Sequence, residues 1–369
     1  MADILGDSKA NSKAQDLKQS SSFLLIDFLK VFAALLIILH HLSSYGQIAR
    51  DAYQVLPIIM TWLFEYGRYA VQIFLVMAGY LAAQSLSRYA NVKFSAHRLL
   101  RVILNRYLRL FAPYTAALIL TIACAYIARF WVNDEFVGES ETISQFLAHL
   151  FFIQGILGLD SISAGAWYIA IDWQLYSVLA ILLISFPRYQ AVIWVISLAA
   201  VSSLLFFNRS GLYEAYFIYF IGSYGLGVLA YLAKCFDNQN VNRLAKMVLL
   251  LIGLIIAISS FQQIWLRNFL AWFVAIALLY WGDKPYPTKE GSQSVLNAIA
   301  WGSQRSYCAF LIHFALILLA NTLYIATGLY AHESGALAIT LILGVVGCST
   351  IAANYLYRWI EVPALRLKL

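Results

Sequence analysis

Asp27, Lys30, His40, His41, Asp172, His313 and Glu361 lie within, or at the end of, long apolar runs. Ionisable groups are costly in hydrocarbon, so each is either paired inside a helix bundle or does chemistry there. Lys30 and His41 are eleven residues apart, which on a helix is about 1100°, roughly 20° from a common face and about 16 Å along the axis. His40 points about 80° away from Lys30 by the same arithmetic, so His41 is the better candidate to share a cavity with the lysine. A neutral imidazole in a water-accessible cavity can take a proton from an alcohol, because its unperturbed pKa of about 6.5 lies near working pH. The competing reading is a histidine hydrogen-bonded to a neighbouring helix.

Asp172 sits in the stretch Gly165 to Tyr176, near the predicted outer end of its span and so close to the predicted depth of His41. A carboxylate there could orient the imidazole and stabilise its protonated form, or simply form a structural pair. Tyr176 lies one turn further along the same face and could join the network. His313, near the middle of its span, reads as a packed core histidine or a proton relay. On the predicted inner side, the run from Phe94 to Arg109 carries Arg98, Arg101, Arg106 and Arg109, with RxxR spacing twice. Arginines three or four apart share a helical face and suit multivalent phosphate recognition through forked, charge-assisted hydrogen bonds. Basic juxtamembrane residues are also common topology and anionic-lipid determinants.

The elements that must position these groups are membrane helices. Of 369 residues 62% are hydrophobic and 12% charged, with a mean hydropathy of +0.75. Soluble chains carry about 25% charged residues, so a water-soluble globular protein is excluded. Ten runs approach the roughly 20 apolar residues of a spanning helix: 23–44, 67–86, 107–130, 166–186, 190–207, 213–233, 246–262, 266–282, 305–327 and 335–358. Two shorter apolar stretches, Val55 to Phe64 and Phe146 to Leu157, read as interfacial or re-entrant pieces. The expected fold class is therefore all-α, a polytopic bundle of about ten transmembrane helices. Most of the 25 basic residues fall in alternate loops that also include the N-terminal segment, while the other loops carry Asp134, Glu135, Glu139, Glu141 and Asp160. That asymmetry places both termini in the cytoplasm and explains the net charge of +7 without nucleic acid. Residues 1–22 form a retained cytoplasmic tail, 23–362 the membrane domain and 363–369 a cytoplasmic tail. The four cysteines lack metal or redox spacing and read as small buried hydrophobes. There is no GxSxG, HExxH or Walker-type loop, so serine hydrolase, zinc enzyme and ATP-driven pump lack their minimal chemistry.

Together these segments resemble the integral-membrane acyltransferase family 3, which acylates cell-surface carbohydrates. Asp27 to His41 looks like the family's Arg-x10-His signature, with Lys30 in the arginine position. Gly67 to Tyr80 is similar to its second-span pattern. Arg106, Arg109, Pro113 and Tyr114 match its RxxR motif followed by a proline and a tyrosine. Trp167 to Tyr176 resembles its Trp-Ser-Leu-x-x-Glu-x-Gln-Phe-Tyr segment, with Asp172 in place of glutamate. Ser306 to His313 and Glu361 to Pro363 look like its two closing blocks. Lysine at position 30 lacks the bidentate fork, and aspartate at 172 has a shorter reach than glutamate.

The resemblance implies a membrane O-acyltransferase, multi-pass in the bacterial inner membrane, that uses acetyl-CoA or another acyl-CoA and no metal. Its acceptor would be a surface glycan, such as lipopolysaccharide, or a lipid-linked saccharide. His41 would be the general base, with Asp172 and Tyr176 in the catalytic network. Lys30, Arg98, Arg101, Arg106 and Arg109 would hold the CoA phosphates, and Trp167, His313 and Glu361 would face the acceptor. One polar channel would join the cationic inner mouth to the imidazole at the outer one. The alternative is a proton-coupled transporter or flippase of a lipid-linked saccharide, which would use the same buried charges.

Overall fold

The computed structural model describes residues 23–89, 92–186, 188–260, 266–287, 293–332 and 334–367. The predicted tail 1–22 and the last two residues of the predicted tail 363–369 lie outside that range. The chain forms helices α1 (Leu24–Ser44), α2 (Gly46–Val55), α3 (Pro57–Tyr66), α4 (Ala70–Ser87), α5 (Ala96–Ala128), α6 (Ile143–Leu150), α7 (Ala166–Ser185), α8 (Tyr189–Leu205), α9 (Phe217–Leu232), α10 (Gln239–Ser259), α11 (Leu266–Trp281), α12 (Gln293–Ala326) and α13 (Gly335–Leu356). Each of the ten expected spans coincides with one of these helices. Among the described residues eight helical stretches are long and apolar enough to cross a membrane, and α9 and α11 are shorter apolar helices. The protein is an all-α polytopic membrane bundle.

Hydrocarbon cannot satisfy backbone polar groups, so helices close their own hydrogen bonds and side chains cap the ends that emerge. Ser95, Asn238 and Ser334 accept backbone N–H groups at the starts of α5, α10 and α13, and Thr142 and Gln145 form a reciprocal capping box at the start of α6. Large apolar side chains such as Ile58, Leu198, Phe273 and Leu343 are exposed on the outside. On a soluble protein such a surface would aggregate; here it is the lipid-facing belt.

Helix α9 is apolar all round, and every residue from Tyr219 to Leu232 is buried, as expected of a helix enclosed by others. Its packing against α4 depends on two glycines. A Cβ on Gly227 would meet the Val76 carbonyl oxygen at 1.9 Å, and one on Gly79 would meet that of Tyr224 at 2.0 Å. Backbones this close are the small-residue packing typical of membrane helices. Between the same helices the Ser223 hydroxyl donates to Gln72.

Three outcomes, set against the sequence expectation, bear on the site. First, α5 has 33 residues and α12 has 34, each about 50 Å long, so both extend well beyond the spans expected at 107–130 and 305–327. The arginine run is therefore not an inner loop but the first turns of α5. Second, of the two expected readings of the stretch Phe146 to Leu157, interfacial or re-entrant, the structure takes the re-entrant one and sends it into the bundle. The Tyr107 hydroxyl donates to the Leu150 carbonyl at 2.8 Å, and Phe152 packs on Tyr107, Tyr114 and Trp173. Phe152, with φ of 60°, is the one non-glycine residue at positive φ among the described residues. Third, Cys124 and Cys308 are buried as expected, but Cys348 is exposed on the outer face of α13.

Candidate functional site

The buried ionisable groups expected from the sequence fall in three levels along α1, α5, α7, α12 and the end of α13. At the first, His41 near the end of α1 meets His313 of α12, with Nδ1 of His41 2.7 Å from Nε2 of His313. Nδ1 of His313 lies 2.7 Å from the Phe310 carbonyl oxygen. His41 is 9% exposed and His313 fully buried. His40, on the adjoining face of α1, bonds the Leu63 carbonyl through Nδ1 at 3.0 Å and takes no part in the pair. Tyr45 stacks on His41, and Phe136 and Phe314 pack on Tyr45.

At the second level Arg106 of α5 and Asp172 of α7 form an ion pair of 2.6 Å. The guanidinium lies over the Tyr176 ring at 5.1 Å. Asp172 thus does not orient His41, as its expected depth had suggested. It neutralises Arg106, because Arg106 stands on an extended α5 inside the bundle rather than in a loop beneath it. Tyr168 and Tyr224 lie within electrostatic range of the pair. Nε of Arg106, the Tyr224 hydroxyl and the indole N–H of Trp173 are buried without a hydrogen-bond partner among the described residues. Orphaned buried donors of this kind are rare and mark where a ligand, ion or water belongs.

At the third level Asp27 accepts hydrogen bonds from Ser303 at 2.5 Å and Tyr286 at 3.0 Å, and Lys30 lies 3.8 Å from it. Glu361 sits in a π-turn at the end of α13 and accepts from the Cys308 thiol at 3.0 Å. Lys30, Arg109 and Glu361 are within electrostatic range of one another. Pro113 has no N–H for the Arg109 carbonyl, and the next carbonyl, of Leu110, accepts the Tyr307 hydroxyl at 3.0 Å. The second and third levels therefore form one cluster of alternating charge.

Arg98 and Arg101 stand apart from it. Arg98 donates to the Lys93 carbonyl and Arg101 pairs with His97, both towards the start of α5. Arg98 and Arg109 are nonetheless eleven residues apart, hence about 20° from one face and about 16 Å along the helix. Trp167 stacks on Phe220 rather than lining a polar space.

The expected single polar channel is not continuous. Phe310 packs against Phe74 and Tyr168, and this aromatic layer separates the histidine pair from the Arg106–Asp172 pair. Gly165 lets the layer close, since a Cβ there would meet the Phe310 ring at 2.9 Å. A narrow crevice lined by Tyr114, Leu118, Gly165 and Leu311 lies beside it, between α5, α7 and α12. Sequence reasoning missed Phe152, Tyr168, Tyr224 and Phe310 as members of the site. Nothing distinguishes them in the sequence from the other aromatics of this chain.

The helices and these buried groups together make a multi-pass helical membrane protein with a buried imidazole pair and a cationic cluster in its interior. The chain matches the acyltransferase family 3 model, described as an acyltransferase domain, over residues 23–357, and it belongs to that family. No curated protein and no solved structure matches it.

Proposed function

We propose that this membrane acyltransferase moves an acyl group, in the simplest case acetyl, from cytoplasmic acyl-CoA to a hydroxyl of an extracytoplasmic or lipid-linked surface carbohydrate in the bacterial inner membrane. The observation that carries the reading is the position of His41. One ring nitrogen is tied to His313, and the other has no hydrogen-bond partner among the described residues, in a buried site above a cluster of cations.

Acyl-CoA would supply the activated thioester. Lys30 on α1 and Arg98, Arg101 and Arg109 along α5 would hold its phosphates through charge-assisted bonds. Arg106 already spends one amino group on Asp172, but its Nε–H has no acceptor among the described residues, and that donor is available to a ligand. The phosphates stay with the cations, and the uncharged thioester end reaches the far side when the closed aromatic layer of Phe74, Tyr168 and Phe310 opens. At the far side His41 takes the proton of the sugar hydroxyl through Nε2. The hydroxyl oxygen bonds to the acyl carbon, the C–S bond breaks with its electron pair on sulfur, and the His41 Nε2–H returns the proton to the departing thiolate.

Membrane vesicles given radiolabelled acetyl-CoA and surface polysaccharide test this. Covalent label on the sugar is expected, and a His41→Ala variant that keeps its fold is expected to lose about 10²- to 10⁴-fold in rate, the usual share of a general base. Movement of the saccharide across the vesicle without label would support a carrier instead, and full transfer by His41→Ala would remove His41 from the chemistry.

A further inference from the structure

We propose that His313 is a positioning residue that fixes the tautomer of His41, and that His41 therefore acts through Nε2 as one end of a two-imidazole chain anchored on a backbone carbonyl. The inference rests on the reading of His41 as the base and deepens it.

The chain of bonds leaves one neutral arrangement. The Phe310 carbonyl oxygen can only accept, so Nδ1 of His313, 2.7 Å away, carries a hydrogen. A neutral imidazole with a hydrogen on Nδ1 presents a lone pair at Nε2. That lone pair faces Nδ1 of His41 at 2.7 Å, so Nδ1 of His41 must donate. The hydrogen on Nδ1 in turn strips Nε2 of its own, and Nε2 becomes the basic atom. Ring geometry agrees. The two planes are 7° apart and the centroids 4.9 Å apart, which with an N···N contact of 2.7 Å places the rings edge to edge in one plane. An N–H aimed along the partner's in-plane lone pair is the strong geometry for such a bond.

The same bond helps when charge develops. As His41 takes a proton it becomes a cation, and its Nδ1–H bond to neutral His313 becomes charge-assisted and stronger. In a serine-type triad a buried aspartate performs this service. Here both rings lie in the bundle, the candidate carboxylate Asp172 is committed to Arg106, and a second imidazole supplies an acceptor without adding a buried negative charge. The Phe310 carbonyl holds His313 in turn, so the aromatic layer between the two polar clusters also anchors the chain.

The test compares wild type with His313→Leu, His313→Gln and His41→Ala, reading kcat and acceptor KM alongside ¹⁵N-histidine NMR of the protein in nanodiscs without substrate. In the wild type, His41 is expected as the neutral form with its hydrogen on Nδ1. His313→Leu removes the acceptor. It should shift His41 towards the Nε2–H form and lower kcat about 10- to 100-fold, the usual cost of losing an orienting partner, with KM unchanged. His313→Gln places an amide oxygen where it can accept from Nδ1 and should restore both the tautomer and most of kcat. Wild-type kcat in His313→Leu with His41→Ala inactive would overturn the positioning role and leave the base intact. Full activity in His41→Ala would overturn the base reading and this inference with it. Equal damage in the leucine and glutamine variants, with an unchanged His41 tautomer, would reduce His313 to packing. Should the variants fail to fold, an Nε2–H form of His41 in the wild type alone would overturn the proposal.

Discussion

Asp172 reads in the sequence as a partner for an imidazole, yet its oxygen lies 2.6 Å from the Arg106 guanidinium. The side chains are 5% and 24% exposed, so the pair is largely withdrawn from water. Removing one member of such a pair strands the other charge, at a cost of roughly 3–5 kcal/mol. Asp172→Ala is therefore expected to lose about that much stability, measured by denaturant unfolding in detergent. The double replacement Arg106→Met with Asp172→Leu is expected to recover it, since apolar residues of similar volume replace buried pairs at little or no cost. Donor binding should stay lost in the double variant. If transfer also returns, the pair serves folding alone. At this scale the identities of the candidates were legible, because a histidine, aspartate or arginine in an apolar run announces itself. Their partners were not, because His41 and His313 are separated by 272 positions and Arg106 and Asp172 by 66.

The element that sequence periodicity describes least well is the stretch between α5 and α7. It is too short to span, and the structure drops it into the bundle beside Arg106 through Phe152. His149, fully buried on α6, secures it. Nδ1 of His149 bonds the Gln145 carbonyl at 2.8 Å, and Nε2 accepts the Ile162 backbone N–H at 3.1 Å. Burial holds this imidazole below the ordinary histidine value of 6.5. The folded state thus binds its proton less readily than the unfolded one. Its contribution to stability is full above pH 6.5 and declines as pH falls through the lowered value, because protonation at Nε2 ejects the Ile162 N–H. The protection of the Ile162 amide, the intrinsic exchange rate over the observed one at each pH, is expected to fall on acidification below about pH 6.5, and His149→Gln should abolish that fall. Unchanged protection down to pH 5 would show that His149 does not hold the segment. With the neighbouring crevice so narrow, the acyl-CoA proposed above as donor would need an element to give way, and the strained turn at Phe152 is the natural place.

For the whole molecule the charge distribution predicts that Lys30, Arg98, Arg101 and Arg109 face the cytoplasm, where acyl-CoA is made, and that the segment from Trp131 to Gly165 faces outward. Single cysteines at Lys93 and Ser140, both exposed, test this in a background without the four native cysteines. An impermeant maleimide should label the Ser140→Cys variant in intact cells and the Lys93→Cys variant only after the membrane is opened. The reverse pattern would put the cationic face on the wrong side for a cytoplasmic donor. The orientation is set by lysines and arginines that resist translocation, a property of loop composition and therefore of the sequence.

The sequence by itself determined the class of solvent, the ten helices, the sign of charge at each end and the short list of buried ionisable groups. All of these follow from local composition and from the cost of placing backbone and charge in hydrocarbon. Only the tertiary structure decided that the two histidines pair with each other, that aspartate pairs with arginine, and that an aromatic layer divides the interior. Those outcomes depend on helix rotation, on how far α5 extends, and on the glycine contacts that set the spacing between helices. No stretch of neighbouring residues encodes them.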